Sequence, residues 1–163
     1  MKKRLFLLAF ALLCMHAIKA QQFDKDAVIE ELAGTWQYVE EVSKADGGKA
    51  YIGKQIYKTI TRDKNYFVIM GINIPLKEEQ DENAKISTIT FITQQGEIEI
   101  TSDSSYNEYI NNHHINKNLN NTISQLRFRF GEDKNKLYIE YNLGGENPNW
   151  VSEVWLRVIP FGK

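Results

Sequence analysis

The sequence predicts an all-β fold: a closed antiparallel up-and-down β-barrel of eight to ten strands, preceded by a short N-terminal helix. Most of the chain after residue 33 alternates apolar and polar residues with period two, which is typical of strands that bury one face. Short turns join successive segments, and a meander of this size that closes on itself leaves no exposed edge. Gly34-Thr35-Trp36 and Trp155-Leu156-Arg157 bracket the strands.

Residues 1–20 have the pattern of a signal peptide. Met1-Lys2-Lys3-Arg4 is basic, an apolar run follows, and Ala20 supplies a small residue at the cleavage site. The apolar run is too short for a transmembrane helix. We expect an exported protein, periplasmic or extracellular, with residues 21–163 as one domain and no transmembrane segment. Lipid anchoring at Cys14 is disfavoured because the bulky Leu13 precedes it.

The charge of the exported part argues against a nucleic-acid partner. The full chain has 20 basic and 21 acidic side chains, a net charge of −1. Residues 1–20 contain four basic and no acidic side chains, so the mature chain carries −5. A mildly acidic domain has no positive field to attract phosphate. No cysteine remains after residue 20, so stability must come from the apolar core.

The first predicted element is a helix over 24–32, capped by Asp24 and followed by Gly34, which we expect to close one end of the barrel. The charged stretch 77–85 predicts a solvated loop, and Gln94-Gln95-Gly96 predicts a hairpin turn. Residues 104–121 interrupt the alternation and predict a helical or irregular excursion. The predicted strands are 36–42, 51–61, 66–74, 86–93, 97–102, 123–130, 136–143 and 151–159.

The alternation also predicts which side chains point into the barrel. The first and last strands stay open: if Trp36 and Arg157 both reach the interior, Glu40 and Glu153 come with them and make one end partly polar. In the middle strands the inward residues are Ile98, Ile100, Leu126, Phe128, Phe130, Leu137, Ile139, Tyr141 and Leu143.

These features resemble the calycin superfamily, and specifically the small secreted lipocalin-like domains of unknown function in bacteria. The resemblance rests on the signal peptide, the short helix, the two Trp-containing motifs, and the stretches 102–110 and 153–158, and it covers nearly all of 30–160. It implies a barrel that binds a small apolar or amphipathic molecule. We interpret Trp36 and Arg157 as structural residues, because a cation over a buried indole can close a barrel end.

Aromatic and polar side chains that could line the barrel mouth are the candidates for ligand contact. Residues 104–114 carry the densest mixture of them, and loops on a rigid scaffold often carry binding residues. The alternative for this segment is a lid that merely plugs the barrel. The candidate ligand-binding residues are Tyr38, Tyr66, Tyr106, Glu108, Tyr109, His113 and Trp155.

Catalysis, metals and cofactors have weaker support in the sequence. His113 and His114 are adjacent, so their side chains point apart and do not predict a metal site. There is no nucleophile elbow and no phosphate-binding glycine loop. We therefore expect no enzyme, metal or cofactor; catalysis stays open as a third hypothesis, and two other functions come before it. One is a ligand-binding barrel; the other is a filled barrel acting as a structural or protein-interaction module in the cell envelope.

Overall fold

The computed structural model describes residues 23–75, 86–142 and 149–159. The predicted signal peptide with Cys14, the charged loop at 77–85 and the predicted inward residue Leu143 lie outside the described residues. Within the described part of the chain, no helix has both the length and the apolar character needed to cross a membrane.

The described strands form a single closed antiparallel barrel in which neighbours in sequence are neighbours in space. The last strand pairs with the first, so that Trp36 lies opposite Arg157 and Tyr38 lies opposite Trp155. The predicted fold class is confirmed. The strands are β1 (Gly34–Ser43), β2 (Lys49–Ile60), β3 (Asn65–Pro75), β4 (Ile86–Ser102), β5 (Ser105–His113), β6 (Thr122–Phe130), β7 (Lys136–Asn142) and β8 (Trp150–Arg157).

The predicted N-terminal helix is present as α1 (Lys25–Leu32). Asp24 caps it: its Oδ1 accepts hydrogen bonds from the backbone N–H groups of Asp26 at 3.0 Å and Ala27 at 3.2 Å. Ile29 and Leu32 are buried in the barrel core. The helix therefore packs its apolar side against the end of the barrel where β1 begins and β8 ends, which we call the base; the opposite end is the mouth.

The predicted turn at Gln94-Gln95-Gly96 is wrong, because β4 runs through it without reversing. The pairing register of β4 with β5 shifts between Gln95 and Gly96, so the strand bulges at this point. A Cβ on Gly96 would lie 1.9 Å from the carbonyl oxygen of Tyr109. The glycine is needed for close approach of two strands, and this use has the same sequence signature as a turn.

The predicted excursion over 104–121 is also wrong for half of its length. Residues 105–113 form β5, and the connection to β6 is 114–121, which contains the short 3₁₀ helix Lys117–Leu119. Tyr106, Glu108 and Ile110 are buried at alternate positions of β5. A glutamate among the inward residues concealed the alternation. The prediction divided β4 into two strands and omitted β5, so these two errors cancel and the number of strands agrees.

The inner face changes character from base to mouth. Along β2, Ile60 belongs to the packed core, Lys58 is buried, and Ile56 lines a cavity. Glu153 faces the interior, whereas Glu40 is exposed and forms an ion pair with Lys54. The predicted inward residues that are buried or pack against the core are Ile98, Ile100, Leu126, Phe128, Phe130, Leu137, Ile139 and Tyr141.

Candidate functional site

Trp36 and Arg157 meet at the base of the barrel. The indole of Trp36 is fully buried, and its Nε1 donates a hydrogen bond to the Leu32 carbonyl at 2.8 Å. The guanidinium carbon of Arg157 lies 4.1 Å from the centroid of the indole. Its two terminal nitrogens donate to the carbonyls of Ala33 at 2.8 Å and Glu31 at 2.7 Å. Arg157 thus covers the indole and binds the free carbonyls at the end of α1.

The backbone conformation and the position of Arg157 explain why residue 34 of the Gly-Thr-Trp motif is a glycine. Its backbone φ is +140°, a value that residues with a side chain rarely adopt. A Cβ at this position would lie 2.7 Å from Nη1 of Arg157. The absent side chain therefore leaves the space in which the guanidinium reaches the helix end.

A buried ion pair lies between the packed base and the mouth. Lys58 Nζ is 2.7 Å from Glu108 Oε1, and the two side chains are 7% and 4% exposed. Gln94 Nε2 donates to the other carboxylate oxygen of Glu108 at 3.3 Å and to the Tyr66 hydroxyl oxygen at 2.6 Å. Lys58 Nζ also lies 5.7 Å from the ring centroids of Tyr66 and Trp155. The two charges compensate each other, which is what burial of both requires.

Tyr66 and Tyr106 lie close to the Lys58–Glu108 ion pair. Burial, together with the nearby charge of Glu108, raises the pKa of Tyr66 and of Tyr106 above the ordinary tyrosine value. Both hydroxyls therefore stay protonated at neutral pH. The Tyr106 hydroxyl is fully buried and makes no hydrogen bond with the described residues.

A cavity of about 670 Å³ occupies the mouth half of the barrel. All eight strands contribute to its wall, most of which is apolar or aromatic, and Leu119 from the β5–β6 connection contributes at the rim. The lining residues are Tyr38, Ile56, Val68, Gln94, Glu108, Ile110, His113, Leu119, Thr122, Ile123, Ser124, Leu126, Tyr141, Asn142, Glu153 and Trp155.

Glu153 is the second carboxylate of the cavity wall. It accepts a hydrogen bond from Trp155 Nε1 at 3.0 Å. Burial and the charge of Glu153 raise the pKa of Tyr141, which lines the same wall. At the rim, burial and the charge of Lys117 lower the pKa of His113 below its ordinary value. The wall therefore combines aromatic rings, two carboxylates and a histidine that favours its neutral form.

The structure brings four of the seven predicted ligand-binding residues to the cavity: Tyr38, Glu108, His113 and Trp155. Tyr66 and Tyr106 are fully buried in the core instead. Tyr109 lies on the outer surface, where its hydroxyl donates to Glu99 Oε2 at 2.6 Å.

Sequence reasoning missed Lys58, Gln94 and Tyr141 as residues of this region. Lys58 had a usable signal, because it stands between Ile56 and Ile60 on one face of a strand. A lysine among inward isoleucines requires a buried anion. Gln94 was concealed by the mistaken turn, and Tyr141 was predicted only as a core residue.

Metal ligation has no support among the described residues, which contain no group of three or more histidine, cysteine, aspartate or glutamate side chains suited to hold an ion. His113 Nδ1 accepts a hydrogen bond from the backbone N–H of Asn116 at 2.9 Å. That ring nitrogen is therefore occupied by a hydrogen bond within the β5–β6 connection.

The fold and the cavity define the class: an eight-stranded antiparallel β-barrel whose base is packed and whose mouth half encloses a cavity. Residues 31–161 match the family described as a domain of unknown function, DUF4488, and the chain belongs to that family. A comparison with curated proteins finds no match.

Proposed function

We propose that this domain is a lipocalin-like binding protein that holds a small apolar or amphipathic molecule in the barrel, with no catalytic step. The cavity of about 670 Å³ is the observation that supports the proposal. Small-molecule sites in proteins typically enclose roughly 300–1,000 Å³ and combine apolar walls with a few polar groups. The wall contributed by Ile56, Val68 and Leu126, with Gln94 and Glu153 as polar groups, has that composition.

An eight-stranded barrel can be filled entirely by its own side chains, so the presence of a cavity supports ligand binding. The interior of an eight-stranded barrel is just wide enough to be filled by side chains or to hold one small ligand. The base of this barrel is filled, with Trp36, Leu137 and Ile139 fully buried. The same strands leave the mouth half open, so the chain combines a packed support with space for a ligand.

The hairpin of β3 and β4 continues the apolar wall beyond the barrel. β2 pairs with β3 only as far as Met70; beyond this point β2 continues beside β1, and β3 continues beside β4. Val68, Met70 and Ile72 alternate on one face, and Ile72 lies opposite Ile89. Ile72 is 44% and Ile89 51% exposed. This apolar strip leads outward from Val68 at the cavity wall and suits the entry of an apolar molecule.

The proposal includes export. The basic and apolar segments of residues 1–20 support it, and a ligand-binding barrel without cysteine folds equally in an oxidising or reducing compartment. Its location is then the periplasm or the exterior. Expression of the full chain, followed by N-terminal sequencing of the secreted form, tests this part, and a chain that retains residues 1–20 in the cytoplasm would contradict it.

Uptake of a neutral apolar dye tests ligand binding. We expect Nile red to gain fluorescence on the wild-type domain with saturable binding. Ser124→Trp fills the cavity from β6 and should abolish saturable binding. Gln125→Trp is the matched control, because this neighbouring residue is exposed and should leave binding unchanged. Absence of uptake by the wild type, together with a ligand-free mass for the protein purified from its own host, would refute the proposal.

The exposed isoleucines favour a second candidate function, a protein-interaction surface on the β3–β4 hairpin. An apolar cross-strand pair on an extended ribbon is unusual on a soluble surface unless it is covered. Under this alternative, sedimentation velocity should detect self-association that Ile72→Thr combined with Ile89→Thr removes. A monomer at every accessible concentration would count against it for copies of this chain.

A further inference from the structure

The charges around the cavity do not cancel. Glu108 is compensated by Lys58 at 2.7 Å. Glu153 lines the same cavity, and the ion pairs formed among the described residues do not include it. Lys117, whose charge acts on His113, is exposed and does not line the cavity. Inside the cavity, two carboxylates and one compensating ammonium therefore leave a net negative charge at the wall. Such a charge in a partly closed, apolar space attracts a cation more strongly than the same charge in water.

His113 does not supply the missing positive charge at neutral pH. Burial and the neighbouring Lys117 lower the pKa of its imidazole below the ordinary value of 6.5. Its Nδ1 accepts the hydrogen bond from the Asn116 backbone, which requires that nitrogen to be unprotonated. The imidazole is therefore neutral, and the wall keeps its negative charge.

Two aromatic side chains lie close to Glu153: Trp155, which donates a hydrogen bond to it, and Tyr141, whose pKa its charge raises. Tyr38 and Trp155 form a tilted pair with ring centroids 5.5 Å apart, and Tyr141 lines the same cavity. The faces of such rings attract cations, most strongly where water is excluded. The hydrogen bond from Trp155 Nε1 fixes the carboxylate of Glu153 in place. A carboxylate has about four acceptor positions, so it retains capacity for a donor on the ligand.

We propose that the cavity selects an amphipathic organic cation, with a protonated amine donating to Glu153 and an apolar body lying against Ile56, Val68 and Leu126. This inference rests on the proposed binding function and specifies its ligand class. An anionic ligand fits less well, because the nearest buried cation, Lys58, is already held by Glu108 and has a side chain only 7% exposed.

Calorimetry with three ligands of equal chain length tests the inference. Octylamine, octanol and octanoate present a cation, a neutral group and an anion on the same apolar chain. At neutral pH we expect octylamine to bind at least about ten-fold more tightly than octanol, as one charge-assisted hydrogen bond provides, and octanoate to bind most weakly. A preference for octanoate, or equal affinity for the three, would overturn the inference.

Glu153→Gln assigns the preference to one residue. This variant should lose the about ten-fold advantage of octylamine and keep the affinity for octanol. Glu97→Gln is the matched control, because Glu97 is exposed on β4 and should leave the ratio unchanged. An octylamine advantage that survives in folded Glu153→Gln would also overturn the inference. If Glu153→Gln does not fold, the comparison of three ligands on the wild type still decides.

The two failures are distinguishable. Nile red uptake with equal affinity for the three octyl ligands leaves the binding function standing and rejects the cation preference. No uptake of Nile red and no heat with any octyl ligand rejects the binding function itself, and the inference with it.

Discussion

The base and the mouth of this barrel are built from the same strands but have different interiors. At the base, Trp36, Ile60 and Leu137 fill the space, and Arg157 with α1 covers the end. At the mouth, the inner faces of these strands enclose about 670 Å³. The Lys58–Glu108 pair lies between the two regions. Strand pairing thus sets the width of the barrel, whereas side-chain volume decides where it is filled.

The difference in packing predicts that the base contributes more to the stability of the barrel than the mouth does. Packed interiors gain dispersion and hydrophobic energy, and an open space forfeits part of both. The base can supply the stability that the mouth lacks. The loss of unfolding free energy in matched variants at the two ends therefore tests this difference in packing.

Truncating the two aromatic residues of β1 should give the largest contrast. Trp36→Ala removes a fully buried indole and should lower the free energy of unfolding by about 4 kcal/mol. Tyr38→Ala, at the cavity wall, should lower it by less, about 2 kcal/mol, because one side of its ring packs against Trp155 and the other faces the cavity. Urea denaturation followed by circular dichroism measures both. Equal losses would show that the two ends do not differ in packing.

The buried ion pair tests the boundary between the regions. Lys58→Met leaves Glu108 buried without its cation and should cost about 3 kcal/mol. The hydrogen bond from Gln94 keeps the loss below that of a bare buried charge. The double variant Lys58→Met with Glu108→Leu should regain most of the stability, since both charges are then gone. Additive losses in this cycle would show that the pair is not coupled.

The smallest effect is expected at the rim. The folded-state pKa of His113 is lowered, so the unfolded chain binds a proton more readily. Stability should therefore fall as the pH drops from about 6.5 through the folded-state pKa. His113→Asn should lose less stability between about pH 8 and about pH 5 than the wild type, as measured by urea denaturation. An identical pH profile for the variant would contradict the lowered pKa.

The strands of regular composition were predictable from the sequence. β6 and β7 alternate apolar and charged residues, and their buried positions are those that the period predicts. β4 and β5 were not predictable to the same degree. Gly96 has the signature of a turn, yet it serves a bulge where the carbonyl of Tyr109 approaches closely. Glu108 has the signature of an exposed residue, yet Lys58 compensates it from a strand 50 residues away.

The residues of the candidate site were likewise predictable only in part. Tyr38, Glu108, His113 and Trp155 were proposed for the ligand site from their chemistry, and they line the cavity. Tyr109 has the same chemistry and lies outside, because it occupies the alternate face of β5. Residue type alone does not distinguish these positions when the strand itself has not been recognised.

The sequence by itself determined the all-β class, the capped helix and the faces of the regular strands, because these depend on local periodicity and on hydrogen bonds between near neighbours. Only the tertiary structure decided that the base is packed and the mouth is open. It also decided that Glu108 is compensated by Lys58, while Glu153 takes part in none of the ion pairs among the described residues. The filling of the interior and the pairing of buried charges depend on contacts between side chains from distant strands. The local sequence pattern does not contain those contacts.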